Sequence, residues 1–92
     1  MRYGAFLRYV TERALSHKQE PLTERTLGVE IFARSPNYDT DADPIVRVTA
    51  SELRKRLTQY YEEPAHAGEI RVVIRKGTYV AEFLSELRER RN

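Results

Sequence analysis

Four prolines, at positions 21, 36, 44 and 64, divide this 92-residue chain into segments, and no helix can run continuously from one segment into the next. Proline lacks an amide hydrogen and clashes with the preceding helical turn, so a helix ends before it or begins with it. The segments between the prolines therefore limit the number of helices. We predict three helices: one before Pro21, one between Pro21 and Pro36, and one from Pro44 to Pro64.

Apolar residues in the first two segments recur every three or four positions, which is the spacing of an amphipathic helix. Helix 1 is predicted over residues 3–15. Helix 2 is predicted over residues 24–33, because Thr23 is a favourable N-cap. Gly28 lies inside helix 2, where glycine costs about 1 kcal/mol relative to alanine, so its presence predicts the close approach of another helix.

The third segment carries the sharpest helix start in the sequence. Asp43 is suited to bind the free amides of a first turn, and Pro44 loses nothing at the first helical position. Helix 3 is therefore predicted over residues 43–62, after a loop of turn-forming residues at 35–42. Its buried stripe is predicted to comprise Val46, Ala50, Leu53, Leu57 and either Tyr60 or Tyr61.

A β-hairpin is predicted over residues 69–83. Apolar residues alternate along its first strand, residues 70–75, and Gly77 turns the chain into a second strand at 78–83 that is rich in β-formers. Residues 84–92 are predicted to form a short, mostly charged helix or a frayed tail. The predicted fold class is thus α+β, with a three-helix bundle followed by a two-stranded hairpin.

Composition limits the class of protein. The chain suffices for one packed domain, predicted over residues 1–83 with 84–92 as its tail, and the absence of cysteine excludes a disulfide framework. No segment approaches the roughly 18 apolar residues of a membrane span, and no grouping of nucleophile, base and acid indicates an active site. We expect a cytoplasmic protein that is not an enzyme, holds no metal or cofactor, and does not enter a membrane.

The net charge of +2 does not by itself indicate a nucleic-acid partner, so the placement of the cations decides. Projected at about 100° per residue, helix 3 has a polar face opposite its apolar stripe. Arginine and lysine bind guanine or phosphate, and hydroxyls bind either, so this face suits the major groove of DNA. The alternative is an ordinary solvated face. The face comprises Arg47, Ser51, Arg54, Lys55 and Thr58.

Arg47 stands in the first turn of helix 3, where a cation meets the positive end of the helix dipole. It is therefore expected to have a specific partner. That partner is either DNA or an acidic neighbour such as Glu30 or Asp43.

The predicted hairpin is also basic. Arg71 lies on its first strand, and Arg75 and Lys76 lie at the turn, where Gly77 allows close approach to a ligand. The hairpin is interpreted either as a wing that contacts DNA or as an exposed sheet edge that charge protects from aggregation.

Four short motifs follow one another along the chain: Gly-Val-Glu-Ile-Phe at 28–32, Asp-Pro-Ile-Val-Arg-Val at 43–48, Ser-Glu-Leu-Arg-Lys-Arg-Leu at 51–57 and Arg-Lys-Gly-Thr-Tyr-Val at 75–80. The sequence resembles the winged-helix output domains of bacterial response regulators. It is still more similar to the amino-terminal winged-helix modules of bacterial multidomain signalling proteins, over residues 6–83. The response-regulator domains have an amino-terminal sheet that this chain lacks, and its loop at 35–42 is longer than a tight helix-turn-helix linker.

The resemblance implies a winged helix-turn-helix domain that binds double-stranded DNA. It implies contacts from Arg47, Thr49, Ser51, Arg54 and Lys55 in helix 3 and from Arg75, Lys76 and Thr78 in the wing. We therefore expect a bacterial transcription regulator, or the DNA-binding part of one, acting as a homodimer or within a longer chain.

The alternative function is a protein-interaction module in a bacterial signalling assembly, since one fold can serve either purpose. Such a module is expected to dock its partner through an apolar surface near Tyr38, Tyr79 and Leu84. Of the six tyrosines and three phenylalanines, only Tyr38 and Tyr79 are predicted to have exposed rings.

Overall fold

The computed structural model of the chain describes residues 2–16 and 22–84. Over these residues the fold is α+β, with three α-helices followed by a two-stranded antiparallel hairpin, as predicted. The elements are α1 (Tyr3–Leu15), α2 (Glu24–Phe32), α3 (Ile45–Glu62), a 3-10 turn (Pro64–His66), β1 (Arg71–Ile74) and β2 (Ala81–Leu84). Leu84 therefore belongs to β2, and the predicted tail beyond it lies outside the described residues. None of the described helices is long and apolar enough to cross a membrane.

Side chains bind the first amides of α2 and α3, as the capping signals predicted. Thr23 Oγ1 accepts a hydrogen bond from the Thr26 amide at 3.1 Å. The first helical residue of α3 is Ile45, one position after the predicted Pro44, because Pro44 takes the N-cap position predicted for Asp43. Asp43 Oδ1 accepts from the Ile45 amide at 3.3 Å. α2 ends at Phe32, one residue before the predicted end, because the next residue adopts a left-handed conformation.

The core forms where the three helices meet the hairpin. Its buried members are Phe6, Val10, Leu27, Ile31, Val46, Ala50, Leu53, Ile74 and Ala81. The predicted stripe of α3 is confirmed through Leu53, and Leu57 is half-buried against the core. Near the end of α3, Tyr61 is half-buried and Tyr60 is exposed. The Tyr60 ring stacks on His66 of the 3-10 turn, with 3.8 Å between centroids.

The strands of the hairpin are shorter than predicted. β1 and β2 pair from Arg71 opposite Leu84 to Ile74 opposite Ala81, and residues 75–80 lie outside the ladder. Within this connection the Thr78 amide donates to the Arg75 carbonyl at 3.1 Å, and Gly77 has a φ of 87°. Positive φ at the third turn position, after a residue with negative φ, defines a type II turn, which favours glycine there.

The neighbour of Gly28 is a loop residue, so the prediction that another helix approaches it is wrong. A Cβ at this position would overlap the hydroxyl and ring carbons of Tyr38. The Tyr38 hydroxyl donates to the Glu24 carbonyl at 3.3 Å, and the Arg25 guanidinium donates to the Pro36 and Tyr38 carbonyls at 3.0 and 2.7 Å. The long loop between α2 and α3 is therefore folded onto α2.

Candidate nucleic-acid interface

A groove of about 440 Å³ separates α3 from β1. Among the described residues that line it are four cations and a single carboxylate, that of Glu62. The groove therefore carries a positive charge and is bordered by both the predicted helix face and the predicted wing. It brings together half of the predicted contact residues: Arg54, Thr58, Arg71, Arg75 and Lys76.

Arg54 spans the groove and binds the backbone of the hairpin. Its Nε donates to the Ile74 carbonyl at 2.8 Å, and its Nη2 donates to the Thr78 and Arg75 carbonyls at 2.9 and 3.3 Å. The Arg75 and Thr78 carbonyls, on either side of Gly77, are thus bound to α3. Thr58 Oγ1 in turn donates to the Arg54 carbonyl at 3.0 Å.

Tyr61 attaches the start of β1 to the end of α3. Its hydroxyl donates to the Ile70 carbonyl at 3.3 Å and accepts from the Val72 amide at 2.9 Å. The Arg71 guanidinium lies 5.6 Å from the centroid of the Tyr61 ring, a cation–π distance. Arg71 therefore contributes charge to the groove while packed on the tyrosine.

The remaining predicted cations differ in whether carboxylates of the protein pair with them. Arg75 Nε lies 2.6 Å from Glu82 Oε2, and this hydrogen bond raises the pKa of Arg75. Lys55 Nζ is 3.8 Å from Glu52 Oε2 on the same exposed surface of α3. Lys76, at the hairpin turn, is exposed and has no ion pair with any residue that the structure describes. Ser51 and Thr78 are also exposed.

Arg47 binds an acidic neighbour, but neither of the two predicted. Its Nη1 lies 3.1 Å from both carboxylate oxygens of Glu24, the first residue of α2. The Glu24 side chain is only 19% exposed, so Arg47 supplies the countercharge of a largely buried carboxylate. Because these positions are 23 residues apart, no local sequence signal identifies the pair.

Replacing Arg47 with alanine is expected to destabilise the fold by about 1 kcal/mol, since the Glu24 carboxylate loses its partner while it stays largely buried. The Glu24→Gln/Arg47→Ala double variant should lose less than the sum of the two single changes. Urea denaturation of the four proteins measures this coupling. Strictly additive losses would show that the pair contributes nothing.

Thr49 is fully buried, with 0% of its surface exposed, so its predicted contact with DNA is wrong. It stands three residues after Val46 and four before Leu53, and helical spacing places it on the same inward face as these two core residues. The spacing could have excluded it from the sequence alone.

The prediction that Tyr38 and Tyr79 are the exposed rings is wrong. Tyr38 fills the space over Gly28, and the Tyr79 ring lies 6.4 Å from the Phe6 ring in an edge-on contact. Burial, and next the charge of Glu24, raise the pKa of Tyr79. The exposed rings are those of Tyr60 and Phe83, at 41% each. The apolar docking surface expected around Tyr38 and Tyr79 is therefore used within the domain.

Sequence reasoning missed two arginines that hold the α2–α3 loop. Arg25 binds the loop carbonyls described above, and Arg34 Nε lies 2.7 Å from Asp43 Oδ2. This hydrogen bond lowers the pKa of Asp43. In the described part of the chain, no group of three histidine, cysteine, aspartate or glutamate side chains could hold a metal ion.

Comparisons with protein-family models, with curated proteins and with solved structures found no match to this chain.

Proposed function

We propose that the domain is a winged helix that binds double-stranded DNA, as a transcription regulator or the DNA-binding part of one. In this proposal α3 enters the major groove and the hairpin lies on the adjacent backbone as the wing. The observation that carries it is the cationic groove between α3 and β1, where four basic side chains face one carboxylate. A positively charged groove between a helix and a hairpin suits a phosphate backbone.

Exposure and pairing indicate which residues would contact DNA. Lys55 and Lys76 are exposed, and the only ion pair of either with a described residue is the 3.8 Å contact of Lys55 with Glu52. Ser51 is exposed in the middle of α3 and can donate to a base or a phosphate. Arg71 and Arg75 add charge to the groove from positions already fixed by Tyr61 and Glu82.

The amino-terminal end of α3 is less suited to DNA. Asp39 and Asp41 are exposed in the preceding loop, and Arg47 in the first turn is occupied by Glu24. Carboxylates beside the helix start repel phosphate. We therefore place the DNA on the middle of α3 and on the hairpin turn.

Binding of a labelled duplex of random sequence, measured by fluorescence anisotropy, tests the proposal. Affinity is expected to fall steeply between about 50 and 200 mM salt, because bound phosphates release counterions. In the Lys55→Gln/Lys76→Gln variant, binding should weaken and the slope of log K against log salt should shrink by about 2.

The matched control is Arg56→Gln. Arg56 is also an exposed cation of α3, but its guanidinium lies 4.3 Å from the centroid of the Tyr3 ring, toward α1 and away from the groove. Its loss should leave the salt slope within about half a unit of the wild-type value. The proposal fails if duplex DNA does not bind at low salt, or if both variants lose the same slope.

A further inference from the structure

We propose that Arg54 is a positioning residue that fixes the hairpin turn against α3 and does not contact DNA. Its effect on DNA binding would be indirect, through the place where it holds Lys76. Only that DNA consequence rests on the proposed function, since the contact itself lies within the domain.

The planar guanidinium of Arg54 presents its N–H donors in a rigid fork. Nε and Nη2 of Arg54 donate to three carbonyls, those of Ile74, Arg75 and Thr78, at 2.8, 3.3 and 2.9 Å. Ile74 and Arg75 precede Gly77 and Thr78 follows it, so a single rigid group joins both arms of the hairpin. Three of the five guanidinium N–H donors are thus occupied by backbone, and the remaining two are those of Nη1.

Apart from the Arg54 bonds, the turn residues make few backbone hydrogen bonds. The last strand pair is Ile74 opposite Ala81, and in the six residues between them a backbone hydrogen bond runs from the Thr78 amide to the Arg75 carbonyl. Thr78 Oγ1 adds a bond to the same carbonyl at 3.1 Å. Loss of the Arg54 bonds would therefore leave residues 75–78 attached to the domain through the strand pair, the Arg75–Glu82 ion pair and the contact of the adjoining Tyr79 ring with Phe6.

Lys76 sits in this turn, beside Gly77, and is the exposed cation of the hairpin without an ion pair to a described residue. The position of its ammonium group relative to Ser51 and Lys55 on α3 depends on how the turn is held. A lysine at position 54 would keep the charge but not the planar fork, because its three donors rotate on a flexible stem. Positioning and direct contact therefore predict different behaviour of Arg54→Lys.

The test compares Arg54→Lys and Arg54→Ala with the wild-type protein by amide hydrogen exchange in the absence of DNA. Both variants are expected to accelerate exchange of the Thr78 amide about tenfold or more, because the hydrogen bonds of a charged donor to the turn are lost. The amide of Val10, in the buried part of α1, serves as the internal reference. Its exchange rate should change only as much as the measured change in global stability requires. Unchanged exchange at Thr78 in both variants would overturn the proposal, whatever the variants do to DNA.

DNA binding of the same variants supplies the second readout. Arg54→Lys should weaken duplex binding as much as Arg54→Ala, whereas the matched change Arg56→Lys, at the α3 cation that packs on Tyr3 away from the groove, should retain wild-type affinity. Wild-type affinity in Arg54→Lys with a loss only in Arg54→Ala would identify Arg54 as a direct charge contact and overturn the proposal. If exchange accelerates and no protein binds DNA, the positioning role stands and the proposed function alone fails.

A measurement on the unchanged protein covers the case in which neither variant folds. Exchange of the Arg54 Nε–H with water, followed by NMR, should be slower than that of Arg56, because Arg54 Nε donates to the Ile74 carbonyl and Arg56 is exposed over Tyr3. Equal exchange rates of the two side chains would contradict the proposal.

Discussion

Replacing Phe6 with alanine is expected to destabilise the fold by about 3–5 kcal/mol, a large part of the stability of a small domain. Phe6 is 0% exposed, and its ring lies 6.5 Å from that of Phe32 and 6.4 Å from that of Tyr79. α1, α2 and the segment before β2 therefore meet on one side chain. Removing the ring leaves a cavity bordered by all three, and none can fill it alone.

Urea denaturation followed by circular dichroism measures the loss. Phe6→Leu keeps most of the apolar volume and should lose less than about 1.5 kcal/mol. Leu15→Ala, in the same helix but at a side chain 62% exposed, should change stability by less than about 0.5 kcal/mol. A Phe6→Ala protein as stable as Leu15→Ala would mean that Phe6 is not the central contact.

Gly28→Ala is expected to destabilise the fold by about 1–3 kcal/mol, although alanine is the better helix former by about 1 kcal/mol. The added methyl would overlap the Tyr38 ring, whose hydroxyl is bound to the Glu24 carbonyl and whose face lies 5.5 Å from the Arg25 guanidinium. Tyr38 must leave this position, and the loop bonds that depend on it weaken.

Gly4→Ala is the matched control. Gly4 is also helical, and a Cβ there meets no atom within 4 Å, so alanine should stabilise the fold by up to about 1 kcal/mol. In a Tyr38→Ala background the cost of Gly28→Ala should disappear, and thermal denaturation of the four proteins measures this. Stabilisation by Gly28→Ala in the wild-type background would contradict the contact.

The parts of the fold that local chemistry determines could be predicted from the sequence. α1 has the predicted bounds, and Thr23 caps α2, because apolar spacing and capping act within a few residues. The hairpin was predicted in place, but its strands were predicted too long. Strand propensity at 78–80 cannot reveal that the Thr78 carbonyl accepts a hydrogen bond from an arginine 24 residues earlier in the chain.

The same limit applies to the candidate interface. Helical projection correctly grouped Arg54 and Thr58 on the face toward the groove, because angle around a helix is a local property. It did not distinguish cations that face solvent from those bound within the domain. Glu24 of α2 binds Arg47, and the Ile74 carbonyl of β1 binds Arg54, so both partners come from other elements of the fold. A basic helix face therefore overstates the number of cations free to meet a polyanion.

The bonds that α3 makes to β1 also limit how this sheet can grow. Alternate residues of a strand direct their amides and carbonyls to the same edge, so the groups of Ile70, Val72 and Ile74 that bind Tyr61 and Arg54 lie on the edge away from β2. Two side chains of α3 stand where a third strand would pair. A peptide or a second molecule can add to β1 by β-augmentation only after it displaces them.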